Sequence, residues 1–130
     1  MLIWAIDDNP LHETLLKTIL CKKGFQYRGF RSCEELKAYL QEDNLPNPHL
    51  VLIDLHLGQG CRGEDIMSLL KEKFKDNDLK YIAFTADIAK KDELYQIGFD
   101  GIIYKPVTKE KLITILGDFI SGYSQSKRKA

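Results

Sequence analysis

An acidic pair, Asp7-Asp8, a single aspartate, Asp54, a threonine, Thr85, and a lysine before proline, Lys105-Pro106, each come directly after a short apolar run. If those runs are parallel strands joined by crossover helices, the residues that follow them meet at one rim, where ligand sites of open parallel sheets lie. Three carboxylates gathered there would raise one another's pKa unless a cation joined them, and oxygen ligands alone favour a hard ion such as Mg2+. Asp8 and Asp54 are the expected direct ligands and Asp7 a ligand through water, while the backbone carbonyl of His56 completes the protein's share. An ionised Asp54 could then attack a phosphorus centre and form an acyl phosphate. Lys105 would pair with one phosphate oxygen as a point charge, and Thr85 would donate its hydroxyl to another. Taken singly, these are an acidic pair near a helix start, a threonine cap and a Lys-Pro turn. Their joint occurrence after the first, third, fourth and fifth apolar runs is what points to chemistry.

Placing these groups together requires an α/β fold, a single (βα)5 unit in which a doubly wound parallel five-stranded sheet is covered by helices on both faces. The strand candidates are Leu2 to Ile6, Phe25 to Phe30, Leu50 to Ile53, Lys80 to Phe84 and Gly101 to Tyr104, of which the first, third and fourth read as buried on both sides. Leu11, Leu15 and Ile19 set the period of the first helix, with Pro10 in its first turn and Gly24 free to end it in a left-handed cap. Ser32 and Glu35 form a capping box for the second helix, whose Leu36 and Leu40 face inward. Ile66, Leu69, Leu70 and Phe74 mark the third. Thr108 caps the fifth, with Leu112, Ile115, Leu116 and Phe119 as its apolar stripe. The fourth, Asp87 to Ile97, is more polar, has Ala89, Leu94 and Ile97 as its few anchors, and is the expected moving part.

The 130 residues, with 44% hydrophobic and 29% charged side chains, suit one globular domain with a real core. Lys and Arg (19) balance Asp and Glu (19), so no overall field gathers nucleic acid or an anionic membrane. No apolar run approaches membrane-spanning length and the N-terminus lacks a signal-peptide pattern, so the expected location is cytoplasmic. Cys21, Cys33 and Cys61 are odd in number and not closely paired, which predicts buried or idle thiols in a reducing compartment. His12, His49 and His56 are scattered, and His12 reads as a helix surface residue. The domain is expected over residues 1–120, with 121–130 a disordered basic tail or the start of a linker.

Asp7-Asp8-Asn9, Val51-Leu52-Ile53-Asp54-Leu55, Phe84-Thr85-Ala86 and Tyr104-Lys105-Pro106 together resemble the receiver domains of response regulators in two-component signalling. The resemblance implies a flavodoxin-like strand order 2-1-3-4-5 and a cis peptide before Pro106. It implies a Mg2+-dependent switch in which Asp54 takes a phosphoryl group from a phosphohistidine on a histidine kinase or histidine phosphotransfer protein. Its chemistry would be confined to its own modification. A homodimer through the face of the fourth helix, fifth strand and fifth helix is a further implication. The sequence departs from the family at Ile102, where an aromatic ring is common, with Tyr104 beside the lysine instead. It departs again in the longer loop Leu55 to Gly63.

Two other functions compete: an aspartyl-nucleophile magnesium phosphatase, whose usual second acid is replaced here by His56, and a phosphorylation-independent binding module. Gly58-Gln59-Gly60-Cys61-Arg62-Gly63 also matches the dinucleotide fingerprint G-x-G-x-x-G. Its distance from the strand and the charge of Asp54 argue against that use. His56 and Asp87, each two residues beyond a site residue, are expected to border the approach of water.

Overall fold

The computed structural model describes residues 1–56, 61–75 and 78–119. Five parallel strands, β1 (Leu2–Ile6), β2 (Gln26–Phe30), β3 (Leu50–Asp54), β4 (Lys80–Thr85) and β5 (Gly101–Tyr104), form one sheet in the order β2-β1-β3-β4-β5. The helices are α1 (Pro10–Lys22), α2 (Cys33–Tyr39), α3 (Gly63–Lys73), α4 (Lys91–Ile97) and α5 (Lys109–Phe119), with a single 3-10 turn, Ile88–Lys90, before α4. The order expected from the resemblance is therefore the order observed, and the Lys105–Pro106 peptide is cis.

Alternation along the strands divides the core in two. Ile3, Ala5, Leu50, Leu52, Ile82, Phe84 and Ile103 pack on one face with Leu16, Ile19 and Leu20 of α1 and Leu112, Ile115 and Leu116 of α5. Trp4, Ile6, Val51, Ile53, Tyr81 and Ala83 pack on the other with Leu36 of α2, Ile66, Met67 and Leu70 of α3 and Leu94 of α4. Burying each such aliphatic side chain contributes about 1.5–3 kcal/mol, and the central strands, covered on both faces, collect most of it. Trp4 anchors the second layer, its ring 5.2 Å from Phe30, 5.6 Å from Tyr39 and 5.5 Å from Phe74 in edge-to-face contacts.

Several sequence expectations shift. The inward stripe of α1 is Leu16, Ile19 and Leu20, continued by His12 one turn earlier; Leu11 lies beside that stripe and is 78% exposed. Ser32 caps α2 through Glu35 N, but the Glu35 carboxylate accepts from Arg31 N instead of closing a box on Ser32. The fourth helical segment is broken: Asp87 caps the 3-10 turn, Ala89 is exposed, and Leu94 is the buried anchor of α4. Ile120 and the tail 121–130 lie outside the described residues.

The cysteine reading is corrected. Cys33, opening α2, and Cys61, two residues before α3, form a disulfide with Cα atoms 6.2 Å apart, while Cys21 is free and exposed. Their sequence separation of 28 hid the pair; the fold brings the starts of two helices on one face of the sheet together. Closing a loop of this size restricts the unfolded chain, so reduction, or Cys61→Ser, is expected to lower stability by about 2–4 kcal/mol. Urea unfolding with and without a thiol reductant measures it; identical midpoints for the wild-type protein would rule the effect out.

Candidate functional site

Strand register alone brings the acidic groups together. Ile6 pairs with Ile53, which sets Asp7 beside Asp54, and Asp54 in turn pairs with Phe84, the residue before Thr85. Thr85 pairs with Tyr104, the residue before Lys105. The ladder continues past the strand ends through Asp7 N to Phe30 O (2.9 Å), Leu55 N to Phe84 O (3.1 Å) and Lys105 N to Thr85 O (2.8 Å). Among the described residues the buried polar side chains are Asp7, Asp54 and Thr85, at 5%, 2% and 1% exposure, and all three lie here.

Each carboxylate has its own partners. Asp54 Oδ1 accepts from the Lys105 ammonium at 2.9 Å and from His56 N at 2.9 Å. Asp7 Oδ1 accepts from Asn9 N at 2.9 Å, and Asp7 Oδ2 lies 2.6 Å from His12 Nδ1. Thr85 Oγ1 accepts from Asp87 N at 3.1 Å, which leaves its own hydrogen free to donate, and Asp87 Oδ1 accepts from Ala89 N at 3.0 Å. Thr85 is thus linked through Asp87 to the turn that leads into α4.

Burial is the largest influence on Asp7 and raises its pKa; Asn9 N–H and His12 pull it back, but the charge of Asp54 adds to the rise and the net shift is upward. Burial also acts most strongly on Asp54, yet His56 N–H, Lys105 and a hydrogen bond from Asp7 together outweigh it, so its pKa is lowered. The two carboxyls are split: Asp54 is the more readily ionised, and Asp7 is the one that holds a proton more readily.

Asp7, Asp54 and a ring nitrogen of His12 offer ligand atoms within 4.8 Å of one another, and the two carboxylates among them suit a hard divalent cation. Asp8 follows Asp7 at the exposed rim, and His56 is exposed with its N–H turned to Asp54. His12 is the residue that sequence reasoning misplaced. Its side chain is 16% exposed and turned to Asp7, because one turn of α1 carries the ring back over the strand end. Its position, one helical turn after an acidic pair, was the available signal. Of the glycine-rich stretch, 58–60 lies outside the described residues. Gly63 is buried where a Cβ would sit 2.5 Å from Leu55 Cδ2, so its role is close packing of α3.

Residues 3–117 match the response regulator receiver domain family. The chain belongs to that family. The osmosensing histidine protein kinase SLN1 of Saccharomyces cerevisiae is 25% identical to this receiver domain over 135 residues, an alignment covering 96% of the chain and 10% of that much longer protein. Among solved structures, the chemotaxis response regulator CheY4 of Vibrio cholerae has a TM-score of 0.76 at 15% identity, over 92% of this chain and 98% of that one. The receiver domain of a sensor histidine kinase from Pseudomonas aeruginosa, which has magnesium coordinated in its active-site cleft, has a TM-score of 0.74 at 19% identity. That match covers 93% of this chain and 98% of that one. At such identities the likeness speaks for the fold. Receiver domains act in two-component signalling with histidine kinases or histidine phosphotransfer proteins. Among the described residues no helix is long and apolar enough to cross a membrane.

Because folding raises the Asp7 pKa, ionised Asp7 destabilises the metal-free receiver domain. That penalty is full above the folded pKa and fades as pH falls toward the ordinary carboxylate value of 3.8. Asp7→Asn is therefore expected to raise the urea midpoint at neutral pH, with the gain shrinking toward about pH 4. A midpoint at or below that of wild type at pH 7 would contradict the assignment.

Proposed function

We propose that Asp54 accepts a phosphoryl group from a phosphohistidine of a histidine kinase or histidine phosphotransfer protein in a Mg2+-dependent reaction that changes which partners the domain binds. The observation that carries this reading is a carboxylate 2% exposed, held ionised, with a lysine ammonium at 2.9 Å and a second buried carboxylate beside it. An acid with those neighbours is poorly explained as a structural ion pair, since the second buried carboxylate adds repulsion to a desolvation cost that one ammonium barely offsets.

In this reading the transferring group leaves the donor's imidazole nitrogen, a P–N bond breaks, an Asp54 oxygen forms the new P–O bond, and the freed imidazole takes up a proton. Asp8, Asp54 and the His56 carbonyl would hold Mg2+ directly and Asp7 through water; the bound ion would neutralise charge on the phosphoryl oxygens. Lys105 gives up its bond to Asp54 for a phosphoryl oxygen. Thr85 turns its hydroxyl hydrogen to another, which strains the Asp87 link and shifts the 3-10 turn and α4. The chemistry modifies the domain itself, once per cycle, and the face of α4, β5 and α5 then exchanges partners, a second copy of the chain among them.

Incubation with Mg2+ and acetyl phosphate, or with a phosphorylated kinase, is expected to add one acid-stable, alkali-labile phosphoryl group, read by intact mass. Asp54→Asn or removal of Mg2+ abolishes the label, and Lys105→Met slows it by about 10²–10³-fold. A label that survives Asp54→Asn, or sustained turnover of a phosphate ester, would sink the proposal. Equal partner affinity with and without beryllofluoride would show a binding module that ignores phosphorylation.

A further inference from the structure

We infer that Lys111 is a positioning residue for phosphoryl transfer: its ammonium binds the carbonyls of the residues just before and just after Lys105 and thereby fixes where Lys105 points. The inference rests on the phosphoacceptor reading of Asp54.

Lys111 stands at the third position of α5, where its backbone N–H is capped by Thr108 Oγ1 at 3.2 Å. After a threonine cap that position favours Glu or Gln, which can return a hydrogen bond, and a cation there opposes the helix dipole. Local preference is therefore violated, and such violations gather at functional sites. The ammonium turns away from the helix and donates to Tyr104 O at 2.8 Å and Pro106 O at 3.0 Å. Those two carbonyls belong to the residues immediately before and after Lys105.

The backbone of Lys105 is consequently held from three directions: its own N–H on Thr85 O at 2.8 Å, and its two neighbours on Lys111. Beyond that root, a flexible side chain must deliver a point charge to Asp54 Oδ1 at 2.9 Å. A lysine loses much rotamer freedom when its head is fixed, so a rigid root reduces the number of misdirected conformers. In the structure Lys111 donates to these carbonyls and Lys105 donates to Asp54, so the influence of Lys111 on the acceptor runs through Lys105.

The test uses the full chain with Mg2+ and acetyl phosphate. Lys111→Met is expected to slow labelling of Asp54 about tenfold at saturating donor, with the half-saturating concentration little changed. Lys111→Arg, whose guanidinium can donate to both carbonyls, restores most of the rate. In a Lys105→Met background, adding Lys111→Met changes nothing further, because the two act as one unit. A purely structural role predicts losses that multiply in the double variant, and that result, or unchanged labelling in Lys111→Met, overturns the inference. Circular dichroism and urea midpoints establish that rates are compared on folded protein, with Lys111→Gln replacing Lys111→Met should the latter unfold.

A second readout needs no phosphorylation. The Lys105 ammonium resonance of the wild-type protein should be distinct and protected, and should merge with those of exposed lysines in Lys111→Met. An identical Lys105 signal in both proteins overturns the clamp even where labelling proceeds. Absence of any label on wild-type Asp54 overturns the phosphoacceptor reading instead, and the resonance still decides the clamp.

Discussion

Asp7 and Asp54, two carboxyls almost sealed from solvent, are forced side by side at the ends of neighbouring strands, and every other feature of the site answers that repulsion. Like charges at such proximity cannot both ionise cheaply in a poorly solvated setting. The surrounding residues resolve the conflict unequally. Asp54 receives a backbone N–H and an ammonium, whereas Asp7 receives a backbone N–H and an imidazole, and the proton settles toward Asp7. A divalent cation entering between them would relieve the same conflict more completely.

The same site is linked to a less firmly packed part of the fold. Thr85 ends β4, a strand flanked by β3 and β5, yet its hydroxyl is tied through Asp87 to a short 3-10 turn and to α4, which has Leu94 as its buried anchor. A firmly held trigger thus adjoins a loosely held helix. With Leu94 as its buried residue, α4 has little packing to oppose a displacement.

Much of this was legible in the residues. The strands could be read because their runs are short, rich in Ile, Val, Phe and Tyr and bounded by turn residues, and the acidic and basic groups after them needed only a parallel sheet to converge. The helix faces were harder. Leu11 keeps helical spacing with Leu15 yet is exposed, since spacing alone leaves open which of two adjacent stripes turns inward, and here it is the one running from His12 through Leu16 to Ile19 and Leu20. His12 was placed on the surface for the same reason, although its ring faces Asp7. The Cys33–Cys61 pairing lay beyond sequence reasoning altogether, because it depends on how two crossover helices start side by side. Lys111 shows the opposite case: a cation where an acid is preferred is visible in the chain, but its targets, Tyr104 and Pro106, emerge only from the turn.

The pairing of Ile6 with Ile53, Asp54 with Phe84 and Thr85 with Tyr104 has one more implication. The reacting groups are spaced by backbone rungs, with no loop between them to absorb an error. Slipping any inner strand by one rung would exchange its two faces, driving aliphatic side chains toward water and withdrawing its contribution from the rim. Correct assembly of the sheet and convergence of these side chains are therefore a single event, and an ill-registered chain has neither.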